Sequence, residues 1–130
     1  WVANLRRRFS EILEDLNIQT QWNIPAEWQS LPSPLVCLTL SRILEEALTN
    51  VLKHSQATQV IVELQQTKTQ LILTIEDNGQ GFDVQSVADG MHVGLTSMRS
   101  RAFRLGGNLD VQSTEQHTLI QVRLPVQPTQ

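Results

Sequence analysis

The chain has 130 residues, of which 40% are hydrophobic and 18% charged, which suits one domain with a packed core and leaves no room for two. A net charge of -3 carries no footprint for nucleic acid, and no apolar run nears the ~20 residues of a membrane span, so neither nucleic acid nor membrane contact by this domain is expected. The single cysteine, Cys37, excludes an intramolecular disulfide and a cysteine-based zinc site, and fits a reducing, cytoplasmic setting.

Taken in chain order, residues 1–16 read as a helix, with Leu5, Phe9, Ile12, Leu13 and Leu16 at helical spacing. Arg6, Arg7 and Arg8 form its basic cluster, which a solvated helix face explains. The chain begins on Trp1 with no signal peptide in view, which suggests an excised or processed piece. Asn17 to Ile24 reads as a strand with Ile18, Thr20, Trp22 and Ile24 on one face. Pro25 to Pro34, with three prolines and two serines, is a connection.

Leu35 to about His54 reads as a long helix whose apolar stripe runs through Leu40, Ile43, Leu44, Ala47, Leu48, Val51 and Leu52. Cys37 falls in the run Leu35-Val36-Cys37-Leu38, where a small buried hydrophobe is the simplest reading. Two alternating strands follow, around Val60, Val62 and Leu64 and around Leu71, Leu73 and Ile75, joined by a polar turn from Gln65 to Gln70. Asp77 to about Val93 reads as loop. Leu95, Met98, Ala102 and Leu105 share a helical face, and Gly106-Gly107 stops that helix. Asn108 to Ser113 and Thr118 to Pro125 close the chain as strands. The fold class this implies is α+β, a two-layer α/β sandwich with a mixed, mostly antiparallel sheet and its helices on one face.

Three stretches have the chemistry of a nucleotide site. Glu46 and Asn50 stand four apart and share a helix face, with Lys53 and His54 following. A carboxylate, a carboxamide and a cation in such a row suit a magnesium polyphosphate, since Mg²⁺ takes hard oxygen ligands. Taken alone, they read more simply as an ordinary polar stripe on an amphipathic helix. Asp77-Asn78-Gly79-Gln80-Gly81 follows a strand, where the glycines permit close approach of backbone to a ligand and Asp77 can accept from an exocyclic amine. A plain turn also favours Asp-Asn-Gly. Gly90-Met91-His92-Val93-Gly94-Leu95 opens a helix, whose free N–H groups can hold phosphate with Arg99 and Arg101 close behind. A simple cap with surface arginines is the alternative.

In this order and spacing, the three stretches resemble the motifs of the ATPase superfamily shared by DNA gyrase, Hsp90 chaperones, histidine kinases and MutL. Glu45 to Ser55 resembles the N box. Asp77 to Gly81 resembles the first glycine box, and Val93-Gly94-Leu95 with Met98 to Ala102 the second. The Lys-His end of the N box, the short lid and Leu105-Gly106-Gly107 are most similar to the nitrate-sensor and DesK-like histidine kinases. The resemblance spans about residues 5 to 126. It implies a Bergerat-type ATP-binding fold over 5–126, with 1–4 as the tail of a preceding dimerisation helix and 127–130 as a C-terminal tail.

The resemblance also implies roles. Glu46 is the general base or polarising carboxylate. Asn50 coordinates Mg²⁺, and Lys53 and His54 lie near the phosphates of ATP. Asp77 binds the adenine amine through itself and a water, with Thr118 in support. Gly79 and Gly81 shape the pocket. Val93, Gly94, Leu95 and Arg99 belong to the phosphate side, with Gly94 starting the helix. His117 stands where the family usually has glycine, which puts the geometry of the last hairpin in question. The implied activity is transfer of the ATP γ-phosphoryl group to a histidine on a separate dimerisation domain of the same parent, with a response regulator downstream, in a cytoplasmic part of a parent that can itself be membrane-anchored. His54, His92 and His117 fall in the N box, the lid and the last hairpin, and none stands in an acceptor-type context. An anti-sigma-factor-type serine kinase and a non-catalytic ATP-binding switch are the alternatives. Glu46 speaks against a module that only binds.

Overall fold

In a computed structural model, the protein is described over residues 2–28, 32–79, 89–114 and 117–126. The elements are α1 (Val2–Asp15), β1 (Gln19–Asn23), α2 (Pro34–Asn50) continued by a single π-type turn (Val51–Ser55), β2 (Gln59–Gln66), β3 (Gln70–Asp77), α3 (Asp89–Arg104), β4 (Asn108–Thr114) and β5 (His117–Pro125). The five strands form one sheet in the order β1-β2-β3-β5-β4. Only β1 with β2 is parallel, and the other three pairings are antiparallel. Strict alternation puts Val60, Val62 and Leu64, Leu71, Leu73 and Ile75, and Ile120, Val122 and Leu124 on one face, all buried. The three helices close over that face: Phe9 and Leu13 from α1, Leu40, Ile43, Ala47 and Leu48 from α2, and Leu95, Met98 and Ala102 from α3 share a single core with it. This is the expected two-layer sandwich.

Local chemistry sets the ends of the helices. Ser33 caps α2, its Oγ accepting from Val36 N–H at 3.3 Å, and Pro34 follows in the first turn. At the end of α1, Asn17 sits at φ 61. There Ile18 N–H reaches back to Leu13 C=O at 2.8 Å and Asn17 N–H to Glu14 C=O at 2.9 Å, the paired bonds of a Schellman stop. At the end of α3 the same pair recurs, Gly107 to Ala102 at 2.9 Å and Gly106 to Phe103 at 3.0 Å, with Gly106 at φ 80. Gly107 has a different reason to be glycine. A Cβ there would stand 2.1 Å from the backbone oxygen of Arg123.

Several boundaries depart from the sequence reading. β2 and β3 pair further out than the alternation suggested, so their turn shrinks to Thr67–Thr69, closed by Thr67 N–H to Gln70 C=O at 2.8 Å. The first strand is shorter, with Ile18 and Trp22 buried and Thr20 and Ile24 half-buried. Ile12 and Leu16, assigned to the buried stripe of α1, are exposed. Cys37 is half-exposed rather than buried, because the buried arc of α2 passes through Val36 and Leu40 and leaves Leu35 and Leu38 outside. Desolvation still pushes the thiol's pKa above its usual value. Arg8 is not merely solvated: it pairs with Glu45 at 3.3 Å and stacks over Phe9 at 4.9 Å. The last helix begins at Asp89, ahead of Gly94. Gly94 therefore lies within the helix, where its N–H belongs to the intrahelical ladder rather than to the open first turn. Residues 80–88, the heart of the expected loop, and the tail 127–130 lie outside the described residues, while residues 2–4 run on within α1.

Candidate nucleotide site

The connections of the sheet bring the three candidate stretches to one end. Ser33, at the start of α2, donates its N–H to Val126 C=O, and Val126 in turn bonds Thr69 in the β2–β3 turn. So α2 begins at the turn end of the sheet. Its 17 residues span about 25 Å at 1.5 Å per residue, close to the length of the 8-residue strands beneath at about 3.3 Å each. Asn50 therefore emerges at the far end. The π-type turn, with Gln56 at φ 54 as its left-handed stop, passes the chain directly into Gln59 and Val60. Val60 pairs with Asp77, and Asp77 pairs with Thr118 on the other side. Meanwhile α3 hands the chain to β4 at the turn end, where Asn108 pairs with Arg123, so its N-terminus points toward Asp77. The C-terminal half of α2, the ends of β3 and β5, and the start of α3 thus share one rim.

Asp77 is 5% exposed. Its Oδ1 accepts from Gly79 N–H at 2.9 Å, and its Oδ2 has no hydrogen-bond partner among the described residues. Desolvation pushes its pKa above the usual carboxylate value, opposed by the Gly79 N–H and by His117, with Glu76 adding to the rise. A buried carboxylate with one committed oxygen and one spare is suited to accept a hydrogen bond from a ligand. Thr118, 4% exposed, shares a hydrogen bond of 3.1 Å with Ser113 across β4 and β5. Gly79 is also buried.

Asn78 is the residue whose role sequence reasoning missed. Its Oδ1 accepts from the N–H groups of both Thr58 and Gln59 at 2.9 Å each, and its Nδ2 donates to Thr58 Oγ1 at 2.9 Å. It ties the end of β3 to the start of β2 and so fixes where Asp77 stops. The signal was present in the Asp-Asn-Gly run, but a side chain that clasps a neighbouring strand leaves no spacing to read.

Glu46 and Asn50 are half-buried on α2 and make no side-chain hydrogen bond among the described residues. Their i, i+4 row holds, but the i→i+5 turn after Asn50 breaks the helical phase, so the row stops there. Lys53 is exposed in that turn, and the side chain of His54 lies outside the described residues, as does Gly81. Val93 and Gly94 lie inside α3, the surroundings of Val93 outside what is described. Leu95 is 2% exposed and belongs to the core, whereas Arg99 is exposed. No helix among the described residues is long and apolar enough to cross a membrane.

Comparisons with known proteins give the family and the fold. The family described as histidine kinase-, DNA gyrase B-, and HSP90-like ATPase matches residues 37–128. The chain is 36% identical over 129 residues to the sensor histidine kinase LiaS of Bacillus subtilis (strain 168), covering 95% of this chain and 35% of LiaS. It is 35% identical over 126 residues to the sensor protein VraS of Staphylococcus aureus (strain COL), covering 92% of this chain and 36% of VraS. The chain thus spans about a third of the length of these relatives. In fold it is similar to the Acinetobacter baumannii histidine kinase AdeS, with a TM-score of 0.76 at 15% identity over 96% of this chain and 62% of that one. A histidine kinase domain from the Erythrobacter litoralis EL346 blue-light activated histidine kinase gives 0.70 at 19%, over 95% and 58%. On the family match, and with the sheet, helices and buried acidic strand end already described, the chain belongs to the histidine kinase-, DNA gyrase B- and HSP90-like ATPases.

Proposed function

We propose that this chain is the ATP-binding catalytic domain of a two-component sensor histidine kinase, which transfers the γ-phosphoryl group of ATP to a histidine on a dimerisation domain of its parent. The observation that carries the reading is the shared rim: a buried Asp77 beside Thr118, with Glu46 and Asn50, which make no side-chain hydrogen bond among the described residues, at the same end of the sheet.

Asp77 takes the adenine amine through its free oxygen, with Thr118 and a water in support. Gly79 and Gly81 allow the base to lie close to the backbone. Lys53 and Arg99 bring positive charge to the phosphates, with His54 near them, and Val93, Gly94 and Leu95 belong to the helix on the phosphate side. Asn50 fits Mg²⁺, because its carboxamide oxygen is a hard donor that makes no hydrogen bond among the described residues; when bound, that ion neutralises phosphate charge. Phosphoryl transfer asks for positioning and charge compensation above all. Glu46 accepts or polarises the proton of the incoming imidazole. Residues 5–126 form the catalytic unit, 1–4 the tail of the preceding helix and 127–130 a trailing segment. The domain works on the cytoplasmic side, and a response regulator receives the phosphoryl group downstream.

The test supplies the parent's dimerisation helices in trans with ATP and Mg²⁺. Labelling should be acid-labile and base-stable, as a phosphoramidate is, while the chain alone labels itself poorly because donor and acceptor are not brought together. Glu46→Gln should keep ATP binding and slow transfer by roughly 10²–10⁴-fold. Acid-stable label on a serine, or tight ATP binding with no transfer to the true parent helices, would refute the kinase assignment.

A further inference from the structure

On the outer face of the sheet, directly behind the proposed adenine contact, His117 Nε2 lies 2.7 Å from Glu76 Oε1. The pair is a consequence of strand alternation. Glu76 precedes Asp77 on β3, and His117 precedes Thr118 on β5. Asp77 and Thr118 face each other on the inner side, so their neighbours meet diagonally on the outer side, within the reach of long side chains. Both outer side chains are 42% exposed. The site's two buried polar residues and this ion pair are thus front and back of the same two strand ends.

We propose that His117 and Glu76 are a positioning pair for nucleotide, holding from the outer face the two strand ends that present Asp77 and Thr118 on the inner face. The proposal rests on the reading of Asp77 as the adenine contact. β3 ends and β5 begins here; the Asn78 clasp ties that end of β3 to β2, and the His117 bond to the Glu76 carboxylate ties it to β5 on the other side. It also has an electrostatic side, because Glu76 and His117 act on Asp77 in opposite directions. Among the described residues, Glu76 from β3 and, through the sheet, Asp77 face His117. Glu63 on β2, Asp110 on β4 and Arg123 on β5 lie further along the outer face, and the helices pack on the opposite face.

The experiment is calorimetric titration of the 130-residue chain with ADP and Mg²⁺ at one fixed pH. The quantity to follow is the ratio of each variant's Kd to that of the unaltered chain. For His117→Ala and Glu76→Gln the ratio should be about two to five, the range of a half-exposed polar pair, and the double variant should lose no more than either single one, because the two side chains act through one bond. His117→Gln, which keeps an uncharged donor, should recover part of the loss. Ratios of one in both single variants, or losses that simply add in the double variant with no recovery in His117→Gln, would overturn the proposal, the second result leaving the pair a structural contact only. Asp77→Ala is the control on the underlying reading. If it binds ADP normally, the adenine contact is wrong and this inference falls with it; if it abolishes binding while the pair variants stay at one, only this inference fails.

Discussion

Replacing Asn78 by alanine isolates the clasp that stops β3. The variant loses three hydrogen bonds of 2.9 Å, two accepted from the N–H groups of Thr58 and Gln59 and one donated to Thr58 Oγ1. Each such bond contributes about 0.5–1.5 kcal/mol net. Asn78 is exposed, so water replaces part of each, and the low end applies. The expected loss is about 1–2 kcal/mol, or roughly 3–8 °C in Tm for a domain of this size. Urea unfolding followed by tryptophan fluorescence and far-UV circular dichroism should show a lower midpoint with an unchanged slope. Asn78→Asp keeps the acceptor of both N–H groups, and the Thr58 hydroxyl can turn to donate, so it should stay within about 0.5 kcal/mol of the native chain. An alanine variant as stable as the native chain would refute the clasp. An aspartate variant as weak as alanine would show that the amide donor, not the carbonyl, is what matters.

Further predictions follow from the same geometry. Gly107→Ala should cost more than Gly106→Ala: the first drives a Cβ into the Arg123 backbone oxygen, about 3 kcal/mol or more, and the second only imposes a side chain at φ 80, about 1–2 kcal/mol; equal midpoints in urea would contradict this. Asp77→Asn should abolish ATP binding and yet not lower Tm at pH 7. Burial raises the folded-state pKa of Asp77, so the native state holds its proton more tightly than the unfolded chain and stability falls as pH rises through that window. Any gain from the amide should therefore be largest at neutral pH and vanish at acid pH, and a variant destabilised at pH 7 and not at pH 3 would reverse the sign. Asn50→Ala should retain metal-free nucleotide affinity and lose most of the enhancement by Mg²⁺; equal enhancement in both proteins, measured by calorimetry, places the ion elsewhere.

Much of the fold was legible because the strands alternate cleanly over a buried face. Val60 to Leu64 and Leu71 to Ile75 can be read in no other phase, and Leu95, Met98, Ala102 and Leu105 are all buried as their spacing implied. What was illegible has physical causes. Ile12 and Leu16 fit a helical stripe, but periodicity does not say how wide the buried arc is, and that arc runs through Leu5, Phe9 and Leu13 and leaves both outside. The π-type turn after Asn50 carries no marker in Val-Leu-Lys-His-Ser, which would serve an α-helix as well. The resemblance to the second glycine box starts α3 at Gly94, yet α3 runs through both Gly90 and Gly94. In the site, Asp77 and Thr118 were identified by motif, and their facing each other follows from strand register. Asn78 and the Glu76–His117 pair depend on which residues sit across from one another, which one chain read alone does not disclose.

The two ends of the sheet divide the labour of the molecule. Opposite the Asp77 rim, the Thr67–Thr69 turn is fully exposed and about 25 Å from the strand ends that carry Asp77 and Thr118. Lengthening such a turn costs only about 0.6 kcal/mol for each doubling. The turn is therefore a natural port for a reporter: a peptide tag or dye site inserted at Lys68 would leave the Asp77 rim untouched, and the domain could be tethered or imaged without engineering either terminus.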